Sequence, residues 1–370
     1  MSRTVWARVC ALCLVAVGGA CAPPAPDVVL LNGRVFTGDP AQPWAEALAI
    51  RGDRVVAVGA TEEVAALASP SSIRRDLDGR AVVPGFNDAH VTDPGGEAAA
   101  LAGFARAAMA DGITSMQWFV DQRPVAAVAQ ALLAADTPLR LRVFRMPRTG
   151  PDGQLIDSRP HLPPQPSFLL DVRGMGFALD LSEDARIRQV VGWGYGTEDL
   201  LAIEPRDDHA LATYIDAVTR TGTSEVWMKK RPRVEHPAMA VVAMAPRLSA
   251  SGMVVVQWPG GTAPLASLVK AGVTLALGSR GGARPFDVLA WATSPERGDE
   301  ALTMEQAITA FTRGSAAAQL ADREKGHLTV GALADLAVLS VNPFSAPRED
   351  LSRARSVLTV IGGRVVHDVP

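Results

Sequence analysis

Cysteine and serine are the side chains that most often act as covalent nucleophiles, and the sequence supports neither of them in that role. The three cysteines are Cys10, Cys13 and Cys21, and none follows them. Disulfides, thiolate zinc sites and cysteine nucleophiles are therefore excluded from the rest of the chain. Neither Ser251 nor Ser315 lies in a Gly-x-Ser-x-Gly turn, and no phosphate-binding glycine motif stands between a strand and a helix. Serine hydrolase, P-loop and dinucleotide chemistry have no support.

The last cysteine belongs to a secretion pattern. Two arginines precede an apolar run over 9–17, and three small residues then lead into Cys21. This layout indicates a signal peptide over 1–20. The box of small residues ending on a cysteine resembles the bacterial lipobox, although Gly18 stands where lipoproteins usually carry leucine. The resemblance implies that Cys21 is lipidated and that a Pro-rich tether over 21–26 follows it.

We therefore expect an exported lipoprotein that is anchored in a membrane through Cys21 and faces the periplasm or the cell exterior. Secretion without an anchor is the alternative. The apolar run is too short for a comfortable transmembrane helix.

The composition describes a folded protein with no affinity for polyanions. The chain has 370 residues, of which 48% are hydrophobic and 20% charged, so it can bury a large core. The formal net charge is -3, and aromatic residues make up only 5% of the chain. Nucleic acid is therefore excluded as an expected partner.

Two β-rich ends flank a middle part with a different pattern. Short strands and glycine turns fill residues 27–80, and the same texture returns over 324–370, which predicts that both ends join in one β-sandwich. Between them, over 81–323, apolar runs alternate with Ala-rich helical stretches, and this alternation predicts a (β/α)8 TIM barrel. The predicted strands are 81–91, 112–120, 139–147, 167–180, 199–205, 231–237, 252–259 and 272–279.

Several phrases follow one another in an order that resembles the amidohydrolase superfamily, in its amide and formamide hydrolase branch. They are VVPGFNDAHV, GITSMQ, RPRVEHP, LALGS, LTMEQAITAFTRGSAAAQL, KGHLTVGALADLAVLSVNPF and VLTVIGGRVV. The resemblance implies a TIM barrel with a composite β-sandwich, and hydrolysis of non-peptide C–N bonds at the carboxyl ends of the barrel strands.

In that superfamily one or two metal ions, usually zinc, activate a water and polarise a carbonyl. The expected ligands are His-x-His after strand 1, a carboxylated lysine or a glutamate after strand 4, and histidines after strands 5 and 6. An aspartate after strand 8 binds metal and moves the proton. Here strand 1 keeps His90 but has Thr92 in place of its second histidine, and strand 6 keeps His236.

The other positions have lost their ligands. The alignment places Gly176 where the strand-4 lysine belongs, Leu201 at the strand-5 histidine and Arg280 at the strand-8 aspartate. Two imidazoles do not complete a catalytic zinc site, which normally takes three protein ligands. A guanidinium stays charged and repels a cation, by roughly 4 kcal/mol per unit charge at about 4 Å and an effective dielectric near 20.

We therefore expect no metal cofactor, and we expect Arg280 to substitute for the lost cation by pairing with Asp88, Asp180 or Glu204. If a metal is present, it is zinc on His90 and His236. The family positions for catalysis are His90, His236 and Arg280. The candidates for binding a small ligand are His90, Thr92, Asp88, Asp180, Glu204, His236 and Arg280.

Each candidate also has a structural explanation. His90 and His236 could be hydrogen-bonded core histidines, and Arg280 could be a surface cation. The remaining histidines are expected to be structural, and they are His161, His209, His327 and His367.

Three functions follow from these alternatives. The first is an exported amidohydrolase-family lipoprotein without catalytic activity that binds at most a small ligand, such as an anion, at the barrel mouth. The second is an active hydrolase with a one-metal site on His90, His236 and a carboxylate such as Asp88 or Asp180. The third is a structural or interaction lipoprotein.

Overall fold

A computed structural model describes residues 24–120, 124–146, 148–149, 155–156, 170–179, 184–260, 263–281 and 284–369, with backbone alone at 148–149, 155–156, 173, 175 and 177–179. The predicted signal peptide over 1–20, Cys21 and Asp180 lie outside the described residues.

The strands of the described part are β1 (Val28–Leu31), β2 (Arg34–Phe36), β3 (Trp44–Ala45), β4 (Ala47–Arg51), β5 (Arg54–Gly59), β6 (Ile73–Asp76), β7 (Ala81–Pro84), β8 (Phe86–Thr92), β9 (Ile113–Val120), β10 (Arg140–Arg145), β11 (Arg148–Thr149), β12 (Leu155–Ile156), β13 (Leu170–Leu179), β14 (Leu200–Pro205), β15 (Arg233–Glu235), β16 (Val254–Gln257), β17 (Thr274–Leu277), β18 (Leu336–Leu339), β19 (Ser356–Ile361) and β20 (Arg364–Asp368).

The α-helices are α1 (Thr61–Ala66), α2 (Ala98–Ala110), α3 (Val125–Ala134), α4 (Asp184–Gly196), α5 (Asp208–Arg220), α6 (Ser224–Lys230), α7 (Ala245–Ala250), α8 (Leu265–Lys270), α9 (Pro285–Ala292), α10 (Met304–Thr309), α11 (Ser315–Ala317) and α12 (Arg348–Leu351). Single 3-10 helices span Met239–Met244 and Pro295–Glu300, and a π-helical turn over Ala310–Gly314 joins α10 to α11.

The largest sheet holds eight strands in the order β17-β16-β15-β14-β13-β10-β9-β8, and every neighbouring pair is parallel. Each predicted strand segment of the middle part overlaps one of these strands. Helices connect most of them, as parallel neighbours require. The molecule is therefore an α/β protein.

Helix α5 shows how the sequence specifies such a connection. The side chain of Asp207 accepts a hydrogen bond of 2.8 Å from the backbone N–H of Ala210, which caps the helix at its first turn. The apolar residues Leu211, Ile215 and Val218 recur at helical spacing and are buried. The face they form packs against the strands, because an amphipathic helix gains most of its stability from burying that face.

The predicted strand 81–91 is divided between two sheets. Its first part, β7, pairs with β2 and β18, whereas β8 begins the eight-stranded sheet. Gly85 separates them, and a β-carbon there would lie 2.2 Å from the Cγ2 atom of Thr114. The chain passes too close to β9 for any side chain at this position. The eight-stranded sheet thus begins at Phe86, five residues later than the predicted boundary at Ala81.

Both ends of the chain build the two remaining sheets. A six-stranded sheet runs in the order β20-β19-β18-β7-β2-β3, so it mixes strands from the two ends, and a four-stranded sheet runs β5-β4-β1-β6. One apolar cluster joins side chains of both sheets, among them Leu30 and Ile50 from the smaller sheet and Val82 and Leu336 from the larger. The two sheets therefore share a core.

The eight-stranded sheet buries both of its faces. One face carries Met116, Leu201 and Val234, which cluster with apolar residues of the helices. The opposite face carries two smaller clusters, which contain Ala89, Val254, Val256, Trp258, Ala276 and Ala318, and Phe119, Phe144, Leu200 and Ala202. This is why the strands read as continuous apolar runs.

The first and last strands of this sheet approach each other at their carboxyl ends. The backbone N–H of Arg280, just after β17, donates a 2.8 Å hydrogen bond to the carbonyl of His90 in β8. A β-carbon on Gly278 would lie 2.7 Å from the backbone nitrogen of His90, so glycine permits the contact. Among the helices of the described residues, none is both long and apolar enough to cross a lipid bilayer.

Candidate functional site

Three of the sequence candidates and two further residues gather where the parallel strands end. His90 lies near the end of β8, Glu235 ends β15 and His236 follows it, Trp258 follows β16, and Arg280 lies shortly after β17. Folds with parallel strands and connecting helices collect functional groups at this edge. We call these five residues the strand-end site.

Aromatic rings form a row through this site. The His90 ring stacks on Phe119, with centroids 3.9 Å apart, and Phe119 stacks on Phe144 at 4.5 Å. On the other side of the row, Trp258 lies 4.4 Å from the His90 ring and 4.5 Å from the His236 ring, nearly parallel to the latter. The two histidines that the sequence singles out therefore contact the same indole.

His90 is held by a buried chain of charges. Its Nδ1 lies 2.9 Å from Oε2 of Glu235, and Oε1 of Glu235 accepts a 2.7 Å hydrogen bond from Nε of Arg233. Burial alone raises the pKa of Glu235, but the Arg233 guanidinium and the His90 hydrogen bond more than offset it, so this pKa is lowered. Because a carboxylate only accepts hydrogen bonds, the proton of a neutral His90 ring is on Nδ1.

Arg233 and Glu235 are functional-site residues that sequence reasoning missed. Arg233 is fully buried and also donates to the carbonyl of Ala89 at 2.7 Å and to the side chain of Gln117. Its guanidinium carbon lies 4.6 Å from the ring of Phe144. The sequence pattern that could have indicated them is the Arg-Val-Glu alternation within β15. It places both charged residues on the face opposite the helices.

Asp88 is buried beside this chain and bonded to neutral donors. It accepts hydrogen bonds from the backbone N–H of Ser279 at 2.9 Å, from the Ser279 hydroxyl, and from the backbone N–H of His90 at 3.1 Å. Burial raises the pKa of Asp88 to about 6, although the Ser279 hydrogen bonds oppose the shift. Its oxygens therefore tie the last strand to the first.

His236 has an unusual backbone conformation for a site residue. Its φ is 48°, in the left-handed region that non-glycine residues seldom occupy. Its backbone N–H donates a 2.8 Å hydrogen bond to the carbonyl of Val256, which ties the turn to β16. Burial lowers the pKa of His236, and the positive charge of Arg280 adds to the effect, whereas a hydrogen bond with Gln257 opposes it. The ring is thus kept neutral beside Trp258.

Arg280 also has a left-handed backbone, with φ at 59°. Its guanidinium carbon lies 5.4 Å from the centroid of a Trp258 ring, and the residue is exposed. The expected pairing of Arg280 with Asp88 is wrong, because Ser279 and the backbone of His90 occupy that carboxylate. Within the described residues, the guanidinium forms neither an ion pair nor a hydrogen bond.

The remaining candidates lie at the edges of the site. Thr92 is exposed at the end of β8, next to Gly281. Glu204 is half-buried near the end of β14, on the same face as Leu200 and Ala202, and it forms no pair with Arg280. Asp180 lies outside the described residues, so its pairing is untested.

Gly176 and Leu201, which the alignment places at two lost metal ligands, lie in different surroundings. A β-carbon on Gly176 would lie 2.8 Å from the sulfur of Met146 and 2.9 Å from the Phe119 ring, so packing occupies the space that a lysine needs. Leu201, in contrast, packs in the cluster on the helix side of the sheet. A histidine in place of Leu201 would therefore face the helices and not the strand-end site, since neighbouring residues of a strand face opposite sides.

These residues do not fit a zinc centre. A neutral His90 would present Nε2 to a metal, with Glu235 orienting the ring from behind as carboxylates commonly do. The oxygens of Asp88 are already bonded, Met146 and Phe119 fill the space beside Gly176, and Arg280 contributes a positive charge. In the part of the chain that the structure describes, no three His, Cys, Asp or Glu side chains are arranged to hold a metal ion.

Solved structures of several hydrolases have the same fold. A triazine hydrolase variant superposes with a TM-score of 0.70 at 18% identity, over 92% of this chain and 94% of that chain. An adenosine deaminase from Xanthomonas campestris, determined with bound zinc, superposes with a TM-score of 0.67 at 19% identity, over 94% of each chain. At these identities the likeness shows the fold alone.

The matches to curated sequences cover shorter segments of the chain. The N-substituted formamide deformylase of Arthrobacter pascens is 39% identical over 64 residues, which are 17% of this chain and 12% of that protein. The matched segments span only 11% or 12% of the length of the two curated relatives.

A much longer part of the sequence matches one family model. The model of the amidohydrolase family covers residues 92–367, which include the end of β8, the connecting helices and the β-rich carboxyl end. This match spans well over half of the chain, and the eight parallel strands with their strand-end site agree with it. The chain belongs to the amidohydrolase family.

Proposed function

We propose that this protein is a metal-independent member of the amidohydrolase family that binds a small organic anion at the carboxyl ends of its strands and does not hydrolyse amides. In this proposal the eight-stranded sheet closes into a barrel, and the two remaining sheets form a composite β-sandwich beside it. The anion is the ligand class that the charges of the site favour.

The observation that carries the proposal is the guanidinium of Arg280. It is exposed, lies over Trp258 and has no anionic partner among the described residues. Arg233, the other cation near the site, is compensated by Glu235. A carboxylate about 4 Å from a guanidinium gains roughly 4 kcal/mol at an effective dielectric near 20, before the cost of desolvation. Trp258 and the neutral ring of His236 offer flat surfaces for an attached apolar group.

Ligand titration tests this function. Calorimetry with acetate and benzoate should show binding that weakens at least tenfold in Arg280→Gln. Arg220 offers a matched control, because its side chain is 81% exposed on α5 and Arg220→Gln also removes one positive charge. Equal binding by the two variants would show that Arg280 is not the anion site.

A hydrolase with one metal ion is the principal alternative, and His90 is the residue that favours it, because Glu235 orients its ring as a second-shell carboxylate would. Elemental analysis of protein expressed with added zinc separates the two. The metal-independent proposal predicts substoichiometric zinc, and no chelator-sensitive hydrolysis of amides or esters. Stoichiometric zinc that is lost in both His90→Phe and His236→Phe would replace our proposal with the alternative.

We also propose that the protein is exported and anchored through a lipidated Cys21. The support is the basic start, short apolar run and small-residue box of the amino-terminal sequence. Cys21→Ser should abolish fatty-acid labelling and release the protein from membranes. If this variant still fractionates with membranes as wild type does, the anchor lies elsewhere or does not exist.

A further inference from the structure

A cavity of about 760 Å³, which we call the α9 cavity, lies beside helix α9. Its walls come from α9 and the 3-10 helix that follows it, from α12, and from the segments that follow β15 and β16. None of the five residues of the strand-end site lines it. Small-molecule sites in proteins have volumes of roughly 300–1,000 Å³, so the α9 cavity has room for an organic ligand.

Two arginines on the wall of the α9 cavity have no acidic partner. Nη2 of Arg297 donates to the carbonyl of Ala263, and its guanidinium carbon lies 4.6 Å from the centroid of the Trp291 ring. Nη2 of Arg348, an exposed residue, donates to the carbonyl of Ala290 at 3.0 Å. Neither guanidinium forms an ion pair with a described residue, so both retain N–H groups for an anion.

The Arg297 guanidinium is also incompletely hydrogen-bonded. Its Nε is buried and has no hydrogen-bond partner among the described residues. Burial lowers the pKa of Arg297, and the attraction of Glu300 opposes the shift. A guanidinium nevertheless stays charged at neutral pH. A buried donor of a charged group costs free energy until a partner satisfies it, which favours an acceptor at this point of the cavity.

The acidic side chains of the cavity are of two kinds. Glu300 accepts hydrogen bonds from Ser267, at 3.0 Å from the backbone N–H and also from the hydroxyl. Asp287 accepts one of 3.3 Å from the backbone N–H of Arg284 at the start of α9. Glu296, in contrast, is exposed, and its carboxylate has no hydrogen bond or ion pair with a described residue. One carboxylate is therefore open to a cationic group of a ligand.

Apolar side chains line the rest of the cavity. Met239 is 45% exposed, and Trp291 is half-buried. Ala263 and Ala290 contribute small side chains beside them. Methionine adapts its shape to what it contacts, and an indole offers a flat apolar surface. An apolar group of a ligand can thus be buried here.

We propose that the α9 cavity binds a zwitterionic amino acid with an apolar side chain. The carboxylate of the amino acid pairs with Arg297 and Arg348, and its ammonium group pairs with Glu296. Its side chain packs against Trp291 and Met239. A ligand with only a negative charge would be repelled by Glu296, and one with only a positive charge would be repelled by the two guanidinium groups. A zwitterion satisfies both kinds of open group.

Three probes with related carbon skeletons separate the two charges. L-Phenylalanine carries both, 3-phenylpropionate lacks the ammonium group, and 2-phenylethylamine lacks the carboxylate. Each is titrated into the full chain labelled with ¹⁵N-tryptophan, and the indole N–H resonances are followed. Trp291 reports on the α9 cavity and Trp258 on the strand-end site, with the two resonances assigned through Trp291→Phe and Trp258→Phe.

We expect L-phenylalanine at millimolar concentrations to shift the Trp291 resonance and to saturate the shift. The affinity for 3-phenylpropionate should be about fivefold lower, and that for 2-phenylethylamine about tenfold lower or more, because each analogue loses its contact with one kind of charge.

The variants should separate the charges in the same way. Arg348→Gln should weaken binding of L-phenylalanine about threefold to fivefold without weakening binding of 2-phenylethylamine. Glu296→Gln should weaken binding of L-phenylalanine by a similar factor without weakening binding of 3-phenylpropionate. Arg297→Gln should weaken L-phenylalanine about tenfold, since its donor is buried. Arg220→Gln is the matched control and should change none of these affinities.

Arg348 and Glu296 are exposed, so their variants keep the test decisive even if Arg297→Gln, which loses the contact with Trp291, fails to fold. A Trp291 resonance that L-phenylalanine does not shift overturns the proposal, and so does 3-phenylpropionate binding as tightly as L-phenylalanine. A shift of Trp258 in place of Trp291, lost in Arg280→Gln, would assign the amino acid to the strand-end site and also overturn it. Binding in the α9 cavity should be unchanged in Arg280→Gln, so failure of the anion site at Arg280 is a separate result.

Discussion

Two buried cations in the molecule are compensated in different ways. Arg233 has an ionic partner in Glu235 and further acceptors in Gln117 and Ala89. Lys325, which is 4% exposed, has the hydroxyl of Ser115 as its hydrogen-bond partner among the described residues. Both contact β9, Lys325 near its amino end and Arg233 further along.

The protonation of the two groups follows from this difference. A guanidinium stays charged and must be paired when it is buried. An ammonium can instead release its proton, and burial lowers the pKa of Lys325 to about 7 in spite of the attraction of Asp335. The strand-end site therefore keeps a permanent internal charge pair, whereas the opposite end of the strands holds a group that titrates near neutrality.

The largest effect should come from breaking the compensated pair. Arg233→Met leaves the Glu235 carboxylate buried without its ionic partner, and we expect the free energy of unfolding to fall by about 3–5 kcal/mol. Urea denaturation monitored by tryptophan fluorescence measures this change.

The double variant Arg233→Met, Glu235→Leu serves as the control, because it removes both charges. It should recover most of the lost stability, since replacing a buried ion pair with apolar residues is often close to neutral. A double variant as unstable as Arg233→Met alone would mean that packing, and not charge compensation, explains the importance of Arg233.

The parallel strands could be predicted from the sequence better than the Arg233–Glu235 ion pair that one of them carries. Parallel strands are buried on both faces, so their apolar runs were recognisable in the sequence. The strand pattern ran across Gly85 without a break, because the division there depends on the approach of Thr114, which lies distant in sequence. His90, His236 and Arg280 were found through the family resemblance.

The partners of these site residues were not predictable in the same way. Glu235 and Trp258 reach His90 only because β15 and β16 end beside β8 in space. Which face of β14 carries Leu201 also required the fold, because a shift of one residue along a strand exchanges its two faces. Sequence patterns thus located the strand ends, while the contacts between strands required the fold.

The second prediction concerns the buried ammonium group of Lys325. Between pH 7 and pH 9 the unfolded chain keeps the proton on Lys325, whose ordinary pKa is 10.5, while the folded protein releases it at a pKa of about 7. The unfolded state then binds more protons, so stability rises with pH across this interval. Lys325→Met removes the contribution, and we expect wild type to gain about 2 kcal/mol relative to this variant between pH 7 and pH 9.

Chemical denaturation at several pH values provides the measurement, with Lys229→Met as the matched control. Lys229 is 74% exposed and pairs with Glu225 on the surface of α6. Parallel stability curves for wild type and Lys325→Met would show that Lys325 keeps an ordinary pKa in the folded protein.

The third prediction concerns Asp88, a buried carboxyl group whose hydrogen-bond donors are neutral. Its pKa is raised to about 6 from an ordinary value of 3.8, so the folded state holds a proton that the unfolded state has released. Stability should therefore fall as pH rises from 4.5 to 6.5, by about 1.5 kcal/mol more in wild type than in Asp88→Asn. Thermal unfolding across this range checks the sign, and a wild-type curve that rises relative to the variant would contradict it.

The smallest effect concerns Arg280, the exposed cation of the strand-end site. Its left-handed backbone costs an L-amino acid about 1 kcal/mol, a cost that glycine escapes. Arg280→Gly and Arg280→Ala both remove the guanidinium from Trp258, so the difference between them isolates the backbone. We expect the glycine variant to be more stable by about 1 kcal/mol, with anion binding lost in both variants. Equal stabilities would show that the backbone is unstrained. A more stable glycine variant would show that the protein retains a side chain here at a cost in stability, as positions that serve binding commonly do.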